Sequence, residues 1–204
     1  MKKNFVIALT ALMSVLTSGC ASYGPEPETV PFVDISRYAG LWHEIASNPV
    51  FFNRNLVGVT AEYGAISDKQ VSVLNTGYVR SLDGRKQTIT GKATVVDEQT
   101  NSKLQVRFDR FPVSLFPGNY WIVVLDSENY QYAVVTDDRQ YTMFVLHRQP
   151  SMPQALYDRI LEELQAKNID TSRLRVSGNI TPDYTALLKV HSFFLMSVCC
   201  MTLI

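Results

Sequence analysis

Cysteine is scarce in this sequence of 204 residues, and its positions exclude several kinds of site. The cysteines are Cys20, Cys199 and Cys200, so none lies between residues 21 and 198. The central part of the chain therefore has no internal disulfide, no cysteine zinc cluster and no thiol nucleophile. A domain of this length is large enough to be stabilised by the packing of its core.

An excess of either charge is also missing. The chain has 19 Lys and Arg residues against 19 Asp and Glu residues, which excludes the electrostatic signature of a nucleic-acid-binding protein. It has only three histidines, and neither a Gly-x-Ser-x-Gly nor a His-Glu-x-x-His motif occurs. We therefore expect a binding protein with no catalytic residues, no metal and no cofactor.

The first residues resemble a targeting segment. Residues 1–19 combine a basic start, an apolar stretch and small residues, which is typical of a signal peptide. The Gly19-Cys20 pair resembles the lipobox of bacterial lipoproteins, which implies lipid attachment at Cys20; Ala21 in the next position implies the outer membrane. Leu16 lies four residues before the cysteine, where the lipobox pattern has leucine three before. The alternative is an ordinary signal peptide that leaves Cys20 free.

The remaining chain divides into three parts. Residues 20–33 are rich in proline and predict an extended tether. Residues 34–178 form the predicted domain. Residues 179–204 form a C-terminal extension of unknown role, which is almost wholly apolar from residue 193 onward.

Short runs of β-branched and aromatic residues recur through the domain, and each run ends in turn residues. They predict an all-β fold with eight strands near 41–48, 56–64, 70–79, 86–96, 102–109, 119–126, 129–136 and 141–148. Eight consecutive strands with no helix among them favour an up-and-down antiparallel β-barrel, because closure removes both sheet edges. A β-sandwich is the alternative.

One helix is predicted after the strands, over about residues 152–167. Ser151 is the expected N-cap, and Gln154 completes a capping box. The apolar stripe of this helix predicts that it packs on the outer wall of the barrel. A last short strand is predicted at 173–177.

The segment from Asp34 to Ala46 resembles the lipocalin signature, whose centre is Gly-x-Trp at the start of the first strand. Gly40 and Trp42 match that centre, and Arg148 matches the arginine that ends the eighth strand. The chain is most similar to bacterial outer-membrane lipocalins of the Blc type, which are related to apolipoprotein D. This resemblance implies that Trp42 points inward at the closed end of the barrel with Arg148 over its ring, and that Gly40, Trp42 and Arg148 are structural.

The resemblance also implies a ligand. It points to a fatty acid or a lysophospholipid, bound for transport or storage in membrane maintenance. Strand alternation and the family pattern together predict the residues that line the pocket, which are Ala46, Val59, Ala61, Val73, Asn75, Val106, Phe108, Tyr120, Ile122, Thr142 and Phe144. Glu44 also points inward by this alternation, and we expect it either to pair with Arg148 or to contact the ligand.

Two apolar loops, residues 50–52 and 111–117, are expected at the open end of the barrel. Exposed apolar patches indicate contact with another surface. We expect these loops to meet a membrane or a second subunit of a homodimer; the alternative is that they fold inward over each other. The alternative function is an anchored barrel that binds a protein partner through these loops.

Overall fold

The computed structural model describes residues 25–182, and eight antiparallel strands form its centre. In chain order these are β1 (Gly40–Ser47), β2 (Leu56–Ser67), β3 (Gln70–Val79), β4 (Lys86–Val95), β5 (Lys103–Phe108), β6 (Gly118–Leu125), β7 (Tyr132–Thr136) and β8 (Met143–His147). Each strand pairs with the next, and β1 also pairs with β8. The barrel is therefore closed, which confirms the predicted fold and excludes the β-sandwich.

Six shorter or flanking elements complete the fold. Helix α1 (Ile35–Tyr38) precedes the barrel, and a 3₁₀ turn (Val113–Leu115) lies between β5 and β6. After the barrel come β9 (Ser151–Pro153), helix α2 (Gln154–Ala166), β10 (Arg175–Val176) and β11 (Asn179–Thr181). Strand β10 pairs with β1, as an additional strand on its edge.

The predicted cap of α2 is wrong. Ser151 belongs to β9, which pairs in parallel with β11, so its backbone is extended and does not begin the helix. Pro153 occupies the N-cap position and makes no side-chain capping bond. The Gln154 side chain instead donates to the Asp158 carboxylate at 2.8 Å, one turn along the helix.

The folded unit extends beyond both predicted edges. Within the segment expected to be a tether, Val30 and Val33 are buried. The Val30 amide donates to the Ile122 carbonyl at 2.9 Å, and the Val33 amide donates to the Thr100 carbonyl at 2.7 Å. At the other end, β11 extends the paired structure past residue 178. The expected signal peptide, Cys20 and the apolar C-terminal stretch lie outside the described residues.

Of the four register shifts in the barrel, two in β2 and one each in β1 and β6, those in β1 and β6 move predicted inward residues to the outer wall. In the β1–β8 pairing, Glu44 lies opposite Leu146 but Ala46 lies opposite Val145, so Ile45 is the extra residue. The β6–β7 pairing has the same kind of shift, which leaves Val123 as its extra residue. A bulge interrupts the alternation of a strand, so both strands present two consecutive residues to the outer wall.

The two faces of the barrel wall carry separate apolar cores. The inner core is centred on Trp42, and the outer core lies beneath helix α2. The bulge residues Ile45 and Val123 belong to the outer core, where they meet Ile160 and Leu164 of the helix. Each fully buried aliphatic side chain of this kind contributes about 1.5–3 kcal/mol relative to an exposed one, which holds the helix against the barrel.

Candidate ligand-binding site

The closed end of the barrel is formed by Trp42 and Arg148. Trp42 is fully buried, and its indole Nε1 donates to the Tyr38 carbonyl at 2.8 Å. The guanidinium carbon of Arg148 lies 3.8 Å from the centroid of the Trp42 ring, which is cation–π geometry. Together these side chains form the floor of the barrel.

Arg148 also joins the barrel to helix α1. Its Nε donates to the Tyr130 carbonyl at 3.1 Å, and Nη1 donates to the Leu41 carbonyl at 3.0 Å. Its Nη2 donates to the carbonyls at the end of α1, including Arg37 at 2.8 Å and Ala39 at 2.9 Å. The last carbonyls of a helix have no partner within the helix, so the guanidinium supplies one and fixes the floor.

Gly40 is required where the floor meets β1. Its φ is +101°, a backbone conformation that favours glycine. A Cβ at this position would also lie 3.2 Å from Nη1 of Arg148. Backbone conformation and space therefore both account for glycine in the Gly-x-Trp motif.

The strand register shows which predicted lining residues share the inner face with Trp42. Trp42 lies opposite Ala61, and Ala61 lies opposite Asn75. Val59 faces Gly77, since a Cβ on that glycine would lie 3.3 Å from Val59 Cγ2. The other predicted residues found in or packed against the inner core are Val73, Val106, Phe108, Tyr120, Ile122 and Phe144.

One predicted lining residue, Ala46, does not belong to the pocket lining. Because of the bulge at Ile45, Ala46 faces the outer core under helix α2. The same kind of bulge in β6 places Val124, which strict alternation puts inward, in the outer core. The Thr142 hydroxyl donates to the Asp137 carboxylate at 2.6 Å, within the β7–β8 loop, so it already has a hydrogen-bond partner.

A cluster of three tyrosines lies beside the floor, where the ring centroids of Tyr38 and Trp42 are 5.0 Å apart. The Tyr120 hydroxyl lies 2.8 Å from that of Tyr38 and 3.0 Å from that of Tyr63. Burial raises the pKa of Tyr63 to about 12, and it raises the pKa of Tyr38 and of Tyr120 well above the ordinary value. All three hydroxyls are therefore neutral at physiological pH. Sequence reasoning missed Tyr38, because it lies in α1 and not in a strand.

The space beside this tyrosine cluster is narrow and apolar. It has a volume of about 10 Å³, about the space of one water molecule, and is lined by the three tyrosines together with Ile35, Val71, Ala93, Leu104 and Val106. Nearer the open end, inward residues such as Val59, Asn75 and Phe144 are only half-buried. The Asn75 Oδ1 atom is buried and has no hydrogen-bond partner within residues 25–182, so one polar acceptor inside the barrel is available.

Glu44 is buried in a polar network at the edge of β1. Its Oε1 accepts hydrogen bonds from Ser177 Oγ at 2.6 Å and from Ser47 Oγ at 2.8 Å. Burial raises the pKa of this carboxyl above its ordinary value, although the two hydroxyl bonds act in the opposite direction. The expected pairing with Arg148 is wrong, because the guanidinium is directed toward backbone carbonyls.

The open end, which we call the mouth, is surrounded by the β1–β2, β3–β4, β5–β6 and β7–β8 loops. Large apolar side chains are exposed on three of these loops, namely Phe51, Phe52, Leu82, Phe111, Leu115 and Phe116. Phe51 and Phe52 form an edge-to-face pair with centroids 5.3 Å apart. Val50 does fold inward and is buried, but the phenylalanines do not, so the mouth has an apolar rim.

The histidines of the barrel lie away from this interior. His43 and His147 are cross-strand partners on the outer face. Among residues 25–182, no group of three or more acidic, histidine or cysteine side chains is arranged to hold a metal ion. None of the helices in this part of the chain is long and apolar enough to cross a membrane.

Comparisons with known proteins agree with this architecture. A family model described as a lipocalin-like domain matches residues 33–179. The outer membrane lipoprotein Blc of Vibrio cholerae is 34% identical over 163 residues, which cover 80% of this chain and 92% of that protein. Blc of Escherichia coli K12 is 32% identical over 171 residues, covering 82% and 92%.

More distant proteins share the fold. Bovine apolipoprotein D is 27% identical over 161 residues, which cover 76% of this chain and 82% of that protein. The crystal structure of insecticyanin from the tobacco hornworm Manduca sexta superposes with a TM-score of 0.59 at 20% identity, covering 78% of this chain and 91% of that one. The chain belongs to the lipocalin family and is related to the Blc lipoproteins and to apolipoprotein D.

Proposed function

We propose that this lipocalin binds one fatty acid or lysophospholipid inside its barrel and carries or stores it at the bacterial outer membrane. The observation that carries the proposal is the inner face of the barrel. Above the Trp42–Arg148 floor it is lined mainly by apolar side chains, and toward the mouth those side chains are only half-buried. Such a lining suits a small apolar ligand with a few polar contacts.

An acyl chain would enter this interior with smaller side-chain displacements than a compact ligand, because the space beside the floor is narrow. Each buried CH₂ group contributes about 0.8 kcal/mol before the costs of association. Exposed Arg54, Arg80 and Arg85 lie in the mouth loops, where they suit a carboxylate or phosphate head group. We therefore place the head group at the mouth and the chain below it.

The apolar rim supports contact with a membrane. Phe51, Phe111 and Phe116 are each about three-quarters exposed, and patches of this kind mark interaction surfaces. Residues 25–28 share a surface groove with 117–119 and 137–141, which lie at the mouth end. A lipid on Cys20, a few residues before this segment, would hold the mouth toward the bilayer. The relatives named as outer membrane lipoproteins favour that membrane, and we assign the periplasmic face.

The tests also distinguish a membrane from two other partners for the apolar rim. A second copy of the chain would produce a homodimer that persists on dilution. A protein partner would leave the barrel without a lipid, so a folded protein that accepts no ligand would favour an interaction module.

Native mass spectrometry, with a fatty acid and a lysophospholipid as probes, tests the proposal. Ile89 lies opposite Asn75 and therefore on the inner face, whereas the adjacent Thr88 lies on the outer face. We expect a one-to-one adduct with the unmodified protein and with Thr88→Trp, and a large loss of that adduct with Ile89→Trp. Adducts that are equal in all three proteins would show that the lipid binds outside the barrel.

A further inference from the structure

The tyrosine cluster has one more hydroxyl proton than its internal hydrogen bonds use. Three hydroxyl groups, on Tyr38, Tyr63 and Tyr120, supply three donors, but only two contacts join them. Whichever way the two bonds are oriented, one O–H remains without an acceptor inside the cluster. The structure gives these hydroxyls no further partner among residues 25–182.

We propose that this spare proton binds a neutral acceptor oxygen, a carbonyl or a hydroxyl, carried near the inner end of an acyl chain. The inference rests on the proposed function and deepens it, because it names oxygenated chains as the preferred ligand class. A buried donor without a partner is unfavourable, and a ligand oxygen would satisfy it.

The surroundings of the cluster select a neutral group. The adjacent space is bordered by aliphatic side chains, among them Val71, Ala93 and Leu104. None of the residues that line it carries a formal charge, and Arg148 below it is directed toward backbone carbonyls. An ionised carboxylate at this depth would be desolvated without a cation to pair with. The carboxylate of a fatty acid therefore stays at the mouth, and the carbonyl or hydroxyl oxygen near the inner end of the chain meets the tyrosines.

Asn75 adds a second polar contact along the same path. It lies two residues from Val73 on β3, and Val73 is the cross-strand partner of Tyr63. Two residues of a strand span about 6.6 Å, so Asn75 lies nearer the mouth than Val73. Its buried Oδ1 lacks a donor, which a ligand hydroxyl would supply. A hydroxyl on the chain can bond either unpaired group, and an unsubstituted chain bonds neither.

Binding of matched pairs of fatty acids tests the inference. The two acids of each pair have the same chain length, from ten to sixteen carbons. One of them carries a ketone on the carbon next to the terminal methyl, and the other is unsubstituted. Affinities are measured for the unmodified protein, for the triple variant Tyr38→Phe/Tyr63→Phe/Tyr120→Phe and for Tyr157→Phe. Tyr157 is the matched control, since it is a buried tyrosine of the outer core and lies outside the barrel.

We expect at least one oxo acid to bind severalfold to about tenfold more tightly than its unsubstituted partner. The triple variant Tyr38→Phe/Tyr63→Phe/Tyr120→Phe, which removes every donor of the cluster, should abolish this preference and reverse the lowered C=O stretching frequency of the bound ketone. Tyr157→Phe should retain the preference.

Equal affinities within every pair, or a ketone vibration that the triple variant does not change, would overturn the inference and indicate that interior water holds the spare proton. In that case the proposed function still stands, because the unsubstituted acids bind. Failure of every acid to bind a folded protein would instead refute the proposed function itself.

Discussion

Replacing Arg148 by alanine should destabilise the protein strongly, although the side chain is only partly buried. The change removes the cation–π contact with Trp42, which lies 3.8 Å away and is worth about 1–2 kcal/mol when partly desolvated. It also removes five hydrogen bonds to backbone carbonyls. Because several of those carbonyls can regain water, we count all five together as about 2 kcal/mol.

The sum is a loss of about 3–4 kcal/mol in the free energy of unfolding. With a urea m-value of about 2 kcal/mol per molar, the midpoint should fall by about 1.5–2 M. Arg148→Lys retains a charge near the ring but lacks the planar fork, so it should lose about half as much. The assay is urea unfolding followed by tryptophan fluorescence in a Trp121→Phe background, which leaves Trp42 as the reporter.

Arg173 provides the matched control for this prediction. Its guanidinium lies 4.9 Å from the centroid of the Tyr141 ring and makes one long bond to the Tyr141 carbonyl. Arg173→Ala should therefore cost less than about 1 kcal/mol. An Arg148→Ala midpoint equal to that of Arg173→Ala would refute the assignment of Arg148 as the side chain that fixes the floor.

Three further predictions follow from the wall and the mouth of the barrel. Burial raises the pKa of Glu44 above 4.5, so the folded state binds the carboxyl proton more tightly than the unfolded state does. Relative to Glu44→Gln, the unmodified protein should therefore lose stability as the pH rises from 4.5 through the folded-state pKa. A difference in melting temperature between the two proteins that does not change with pH would contradict this. Val124→Ala should lower the free energy of unfolding by about 1–3 kcal/mol. It should leave lipid affinity unchanged in a titration, because Val124 faces the outer core. A weaker lipid affinity would show that Val124 faces the barrel interior. Phe51→Ser combined with Phe116→Ser should weaken binding to anionic vesicles in a flotation assay. Phe32→Ser, at an exposed position outside the mouth loops, should not weaken it. Equal vesicle binding by the double variant and by Phe32→Ser would exclude the apolar rim as the membrane contact.

Most of the barrel could be predicted from the sequence, because each strand ends in residues that favour turns. The Gly40 and Trp42 pair fixed the start of the first strand, and Arg148 marked the end of the last. These positions can be recognised from the neighbouring sequence alone, without knowing which distant residues they contact. Closure of the barrel then follows from the number of strands.

The bulges could not be predicted in this way. Ile45 and Ala46, like Val123 and Val124, are consecutive apolar residues, so the alternating pattern is compatible with either face. Only the register with the neighbouring strand shows that each pair lies on the outer wall.

Contacts between distant parts of the chain were missed for a related reason. Ser177 binds Glu44 across 133 positions of sequence, and no local pattern indicates such a partner. The Tyr38–Tyr120 contact spans 82 positions and depends on a helix of only four residues. Ser151 carries a helix-capping signal, but the pairing of β9 with β11 overrides it.

The most direct test of the central claim, that an acyl chain enters the barrel with its methyl end toward the floor, uses the two tryptophans as opposite reporters. Trp42 lies in the inner core, whereas Trp121 packs on the outer wall against Lys103. Fluorescence quenching is measured with stearic acid that carries a nitroxide either near the methyl end or near the carboxylate, in Trp121→Phe and Trp42→Phe proteins. The label near the methyl end should quench Trp42 more strongly than the label near the carboxylate, and neither should quench Trp121. Quenching of Trp121 with none of Trp42 would show that the lipid binds outside the barrel.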